Sequence, residues 1–347
     1  MNPAPLTLNP ADIRAALNAG LRAVHGAQAR LEDWTAQRVS NRGKHRTVLY
    51  NLDARVDGEP QARHYRWVGK YYEDDDLARK AAAILRELAA SDCCARGDMV
   101  IPSVLAHHAP LRLLLLTYEP GQSVTSALGP HNPPVLLAIG RALAALHSTP
   151  VTLDGITSAA DVLGDVRPRI AELCARFPGE TDSLRQLQTQ LERQAPRDPL
   201  APSFVHGDLG PAQLIWQAGR IVVLDFDQCR RGDPASDLGN LLAQFRRIIL
   251  RKPAKLGDFA SLRRTLLEGY QPWVGADPGL ARRVAWYELV TLVRKIYFIA
   301  SDTTRHHDAE ELRQRQEEAV RLLEELPSVL ESDDPPAYCS TVVTVEK

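Results

Sequence analysis

The stretch from Phe204 to Leu241 constrains this chain more than any other. It reads FVHGDLGPAQLIW, a short turn, then IVVLDFDQCRRGDPASDLGNL. Two apolar runs, Leu214–Trp216 and Ile221–Leu224, flank Gln217-Ala218-Gly219-Arg220, the pattern of a small β-hairpin. Asp208 and Gln213 precede the first strand and Asp225 ends the second, so the hairpin gathers two carboxylates and an amide carbonyl at one end of a ribbon. A magnesium–nucleotide site needs such a set: oxygen ligands for a hard cation and a separate base for an attacking hydroxyl. Gly207-Asp208 alone would be an ordinary turn; order, spacing and strand context together give it meaning.

His206-Gly207-Asp208-Leu209, Gln213 and Leu224-Asp225-Phe226 resemble the signature of the aminoglycoside phosphotransferase family, a branch of the protein-kinase-like fold. The GDPASDL continuation resembles that family as well. Gln213 departs from the pattern, which carries Asn there. The resemblance implies an α+β, bilobal fold with a small N-terminal antiparallel sheet lobe and a larger, mostly helical C-terminal lobe, the nucleotide lying in the cleft between them. Expected boundaries are 1–119 for the nucleotide lobe with its leading helix, 120–330 for the catalytic and substrate lobe, and 331–347 for a flexible tail.

Bulk properties exclude other classes. The chain has 347 residues, enough for two cores, and 42 basic against 43 acidic side chains, with no nucleic-acid footprint. No apolar run reaches membrane length and no secretory leader pattern is present, so a cytoplasmic protein is expected. The five cysteines fit neither a disulfide framework nor a zinc site. His107-His108 and His306-His307 read as surface pairs, because neighbouring side chains diverge. A P-loop and a dinucleotide fingerprint are both missing.

Hydrophobic periodicity organises the rest. A helix is expected from Asp12 to about Gln28 after an Asn9 cap. Strands follow at Trp34–Ser40, Arg46–Val56 and His64–Tyr72, then a helix over about Asp75–Ala90 and strands at Met99–His107 and Leu111–Tyr118. The Asn41-Arg42-Gly43-Lys44 turn reads equally as a plain hairpin turn and as a cover for phosphates. Residues 150–165 read as loop. Helices are expected at Val135–His147, Arg169–Phe177, Thr181–Gln194, Asp237–Leu250, Leu256–Tyr270, Pro278–Ala300 and Asp308–Leu326.

Lys70 shares a strand face with Val68 and Tyr72, and an ammonium among apolar neighbours needs an anionic partner. The resemblance assigns Lys70 to the nucleotide phosphates and Val68 to the roof over adenine. Glu87, 17 positions on, suits the strand-lysine–helix-glutamate pair of kinases, the alternative being a solvated surface glutamate. Thr117-Tyr118-Glu119 before Pro120-Gly121 resembles the segment whose backbone reads the adenine edge. By the same resemblance Asp208 is the catalytic base, Asp225 the main Mg²⁺ ligand and Gln213 a further one, one methylene longer than the usual Asn. Asp227 reads as the start of the next turn, with a second metal contact as the alternative, and His206 and Asp237 read as supports for the loop.

The implied activity is ATP- and Mg²⁺-dependent transfer of a phosphoryl group to a hydroxyl of a small molecule such as a sugar, an amino alcohol or an aminoglycoside. The competing reading is a kinase-like nucleotide-binding protein without catalysis, for which Gln213 is the best support. The helices after Asp237 mix Glu268, Glu288 and Asp302 with Arg282, Arg283, Arg294 and Lys295, unlike the acidic wall that a polycationic antibiotic would favour.

Overall fold

A computed structural model of the chain describes residues 9–40, 45–56, 58, 61–130, 132–151, 153–196, 202–301 and 309–331. In chain order its first elements are α1 (Pro10–His25), β1 (Arg30–Ser40), β2 (His45–Arg55), β3 (Arg63–Tyr72), α2 (Asp75–Ala89), α3 (Asp92–Ala95), β4 (Val104–His108) and β5 (Leu113–Thr117). Then come β6 (Gln122–Ser123), α4 (Val124–Leu128), α5 (Pro133–His147), β7 (Ile156–Thr157), α6 (Ala159–Arg176), α7 (Thr181–Arg193), β8 (Ser203–Val205), β9 (Leu214–Gln217), β10 (Arg220–Val223) and β11 (Arg230–Gly232). The last helices are α8 (Ala235–Arg251), α9 (Phe259–Tyr270), α10 (Leu280–Ser301) and α11 (Ala309–Glu331). The expected turn at Asn41–Lys44, the His306-His307 pair, Asp302 and residues 332–347 of the tail lie outside the described residues.

The chain divides into two compact units. One comprises residues 1–122 together with 215–227, so the catalytic hairpin joins the N-terminal sheet although nearly a hundred residues separate them in sequence. The other comprises 123–214 and 228–347.

The first unit is built on an antiparallel sheet of order β1-β2-β3-β5-β4. The two-residue period sorts β3. Trp67 and Tyr71 turn to one face, where they pack with Leu52, Leu115 and the α1 residues Ile13, Leu17 and Leu21. Lys70 and Tyr72 turn to the other. Helix α1 starts where the sequence places it, with the Asn9 side chain accepting from the Ala11 N–H and Pro10 in the first turn. β9 and β10 close through Ala218 and Gly219, both at positive φ (47° and 87°), the twist a two-residue hairpin turn requires. The hairpin is tied into this unit by Val100 N–H to Ile221 (2.9 Å), Val223 N–H to Val100 (2.8 Å) and the Gln217 amide to the Pro120 carbonyl (2.8 Å).

The second unit is mostly helical. Its longest buried face belongs to α10, which packs along α8. The helix expected to start at Arg169 begins ten residues earlier. Ser158 and Asp161 form a reciprocal capping box, and the helix runs through Pro168. The cap lay in a stretch read as loop. A short sheet of order β7-β11-β8, not foreseen from periodicity because its strands are two or three residues long, carries the chain into Gly207-Asp208.

Candidate active site

The first unit forms a charged cluster at the end of the hairpin. Lys70, 7% exposed, donates to Asp225 (2.7 Å) and Asp227 (2.9 Å), and the Tyr72 hydroxyl donates to Asp227 (2.9 Å). Burial, reinforced by both carboxylates, pushes the Tyr72 phenol well above its ordinary pKa, so it remains a donor. Asp225 is held at φ 67°, a left-handed conformation uncommon outside glycine and tolerated best by Asp and Asn. Strain of this kind concentrates at functional sites. One ammonium against two carboxylates leaves the cluster with a residual negative charge.

Two expectations change here. Asp227 does not merely open the next turn; it shares Lys70 with Asp225. Glu87 is exposed, because Ala78, Ala81, Ala82, Leu85 and Leu88 take the buried face of α2. The Lys70 ammonium is committed to the hairpin carboxylates in place of the expected helix glutamate. The periodicity that put Lys70 beside Tyr72 was the available signal for Tyr72. Nothing local announced Asp227 as a partner 157 residues away.

Val68 is half-buried next to Lys70, on the face that the strand pattern assigns it. The segment Thr117–Glu119 is itself well braced. Thr117 N–H bonds the Ser103 carbonyl (3.0 Å), Tyr118 N–H the Arg66 carbonyl (3.3 Å), and the Thr117 hydroxyl donates to the Glu119 carboxylate (2.6 Å).

The second unit presents an exposed Asp208 on an otherwise buried loop fixed from beneath by Asp237. Asp237 is 1% exposed; it accepts from the His206 N–H (2.6 Å) and the Gly207 N–H (2.9 Å). It also meets His147 Nε2 (3.1 Å), whose Nδ1 meets the Tyr270 hydroxyl (2.9 Å). Burial opposes ionisation of Asp237, but the His147 bond, the charges of His147 and His206 and the Gly207 N–H outweigh it, and its pKa falls below the ordinary range. Gly207 sits at φ 84°, and a Cβ there would lie 2.2 Å from the Gln228 carbonyl oxygen. The Asn240 amide donates to the Leu209 carbonyl (2.8 Å). His206 and Asp237 thus support the loop, as expected. Gln213 keeps its amide oxygen close to its own loop, 3.2 Å from where a Cβ on Gly210 would stand.

Asp208 opens onto a pocket in the same unit. Residues Tyr287, Thr291, Arg294 and Lys295 form a helical stripe of α10 along one wall; Arg230 and Asp233 come from β11 and the turn after it. Among the charges anticipated on these helices, Arg294 and Lys295 line the pocket. Arg283 is buried between Asp233 (2.9 Å) and Asp277 (2.6 Å), Glu288 is buried against Arg246 (2.8 Å), and Glu268 and Arg282 are exposed. Arg230 was not anticipated.

His107 of the first histidine pair bonds Asp75 (2.8 Å), and among the described residues no three His, Cys, Asp or Glu side chains gather as a metal cage. No helix among them is long and apolar enough to cross a membrane.

No curated protein sequence matches the chain. Solved structures match over most of its length. Macrolide 2'-phosphotransferase MphH from Brachybacterium faecium is 20% identical, with a TM-score of 0.53, over 89% of this chain and 98% of that one. Aminoglycoside phosphotransferase APH(2'')-Ib, ADP-bound, is 17% identical, with a TM-score of 0.57, over 92% and 99%. A choline/ethanolamine kinase family protein from Mesorhizobium loti is 16% identical, with a TM-score of 0.55, over 93% and 98%. At these identities the likeness establishes the α+β, protein-kinase-like fold. The profile of the phosphotransferase enzyme family matches residues 51–287, well over half of the chain and both acidic sites, and the chain belongs to that family.

Proposed function

We propose that this protein moves the terminal phosphate of ATP to a hydroxyl group of a small molecule, with Asp208 as the base. The observation that carries the reading is the pairing of a buried Lys70 with Asp225 and Asp227 at the end of the hairpin. A purely structural lysine gains little from two carboxylates on one strained turn. A lysine and carboxylates arranged to receive phosphate and a hard cation account for all three. Relatives of the same fold were solved with ADP, or with AMP-PNP and hygromycin B, which supports a nucleotide as donor.

The donor set suits Mg²⁺: Asp225 and Asp227 offer only oxygen, and their residual negative charge favours a divalent cation. Two carboxylates are too few to enclose the ion, which matches a metal that keeps waters and phosphate oxygens as its other ligands. When bound, Mg²⁺ neutralises charge on the phosphates. Lys70 would leave the carboxylates in part to hold the α- and β-phosphates, and Gln213 would add its amide oxygen. Val68 would cover the adenine. With the N–H groups of Thr117 and Tyr118 spent on Ser103 and Arg66, reading the adenine edge falls to the Glu119 backbone and neighbouring carbonyls. Asp208 would accept the proton of the acceptor hydroxyl as the P–O bond forms. The short link from Asp225 to α8 holds no activation-loop-like segment, which favours a free small molecule over a folded protein as acceptor.

The test is Asp208→Asn. Transfer should fall by about 10²–10⁴, the usual size of a general-base contribution, while Mg–ATP affinity by calorimetry stays near wild type. Wild-type turnover in this variant would refute Asp208 as base; loss of nucleotide affinity would show that it acts in binding.

A further inference from the structure

The charges lining the pocket beside Asp208 do not balance. Asp233 is spent on Arg283 (2.9 Å). Arg294 is engaged by Asp165 (2.8 Å), which also receives Arg169. Among the described residues, Lys295 has no ion-pair partner, and Arg230 has only its own turn's Gln228 carbonyl (3.5 Å). What remains is two uncommitted cations and a partly satisfied arginine around one free carboxylate, Asp208, which the chemistry reserves for the acceptor hydroxyl.

The Lys295 ammonium is half-buried. Desolvation disfavours its charge, the field of Asp208 favours it, and Arg247 and Arg294 oppose it again, with a net lowering of its pKa. Arg247 offers no relief, being paired with Glu318 (2.7 Å). A half-buried cation repelled by its neighbours is destabilising unless an anion arrives. Tyr287, Thr291 and Lys295 lie one helical turn apart on a single α10 stripe, so a ligand lying along that wall would meet a ring, a hydroxyl and then a cation.

We infer that the acceptor is a hydroxylated anion, a hydroxy acid or a phosphorylated polyol, whose negative group is held by Lys295 and Arg230 while its hydroxyl faces Asp208. This rests on the phosphotransferase reading for the role of Asp208. Arg230 would supply a planar fork for a carboxylate or phosphate, and Lys295 a point charge. Choline-like alcohols and polyamine antibiotics meet the wrong sign of charge in this pocket.

Three compounds with one polyol chain and different ends test the inference: D-gluconate (anion), D-glucitol (neutral) and D-glucamine (cation). Calorimetry without nucleotide, with sulfate as the simplest anion, measures binding; transfer from Mg–ATP measures KM. Gluconate should bind at least about tenfold more tightly than glucitol, with glucamine weakest. Lys295→Met should erase that order and Lys295→Arg should retain it, each checked by thermal unfolding. Arg230→Met should weaken gluconate alone. Glucitol or glucamine equal to gluconate would overturn the inference, as would the absence of millimolar binding by sulfate and gluconate. A Lys295→Met defect equal for all three acceptors would also overturn it, because the cations would then serve only the transferred phosphate. If none of the three accepts phosphate, the nucleotide-free binding order still decides the anion site: gluconate and sulfate binding supports it, and their failure to bind overturns it.

Discussion

Replacing Asp237 with Asn changes one atom and should weaken both the fold and the catalytic loop. One carboxylate oxygen accepts from the His206 N–H and meets His147; the other accepts from the Gly207 N–H. The best rotamer of Asn keeps the first pair and turns its NH₂ toward the Gly207 N–H, setting donor against donor at a site 1% exposed. Losing one charge-assisted bond and stranding a buried donor costs about 2–4 kcal/mol. Asp237→Ala strands every donor and should cost about 3–5 kcal/mol. In urea unfolding at pH 7 the midpoint should fall with little change in slope. Turnover should fall as well, because Gly207-Asp208 loses its anchor. The pH dependence carries a definite sign. Asp237 has a lowered folded pKa, so its stabilisation is complete above the ordinary carboxylate value and is lost as pH falls through the lowered one. The gap between wild type and Asp237→Asn should therefore be full at neutral pH and shrink below about pH 4. An unchanged midpoint at pH 7, or a gap that grows on acidification, would refute the reasoning.

Three further outcomes are expected. Lys70→Met leaves Asp225 and Asp227 facing each other without a cation, so Mg–ATP affinity and turnover should both fall, and calorimetry showing wild-type nucleotide affinity would contradict the assigned role. Gly207→Ala puts a methyl group 2.2 Å from a backbone oxygen at φ 84°, and thermal unfolding should register a loss of about 2 kcal/mol or more, where a neutral result would contradict the geometry. Tyr72→Phe removes the donor to Asp227 and should cost about 1–2 kcal/mol in urea unfolding while sparing the fold, as judged by circular dichroism.

How much of this was legible before folding depends on the distance over which each interaction acts. The hairpin, the strand face of Lys70 and the cap of α1 follow from periods of two and 3.6 residues and from turn chemistry, which are local. The HGDL and LDFD motifs named Asp208 and Asp225, and His206 and Asp237 were placed as supports. The α6 start was missed because its capping box, though local, lay in a stretch read as loop. The partner of Lys70 was a different kind of miss. Glu87 lies 17 residues away and Asp227 lies 157 away, and no one-dimensional pattern ranks them. That choice was made when Val100 paired with Val222 and joined the hairpin to the N-terminal sheet. The pocket charge is likewise tertiary. Arg283, Arg294 and Lys295 are cations of one helix, α10, but helix phase and packing bury the first between two aspartates and leave Lys295 facing Asp208. Motif and periodicity determine the chemistry this chain carries, because spacing along one backbone encodes them. Which charges remain unspent for a ligand is decided only when distant segments meet and neutralise one another.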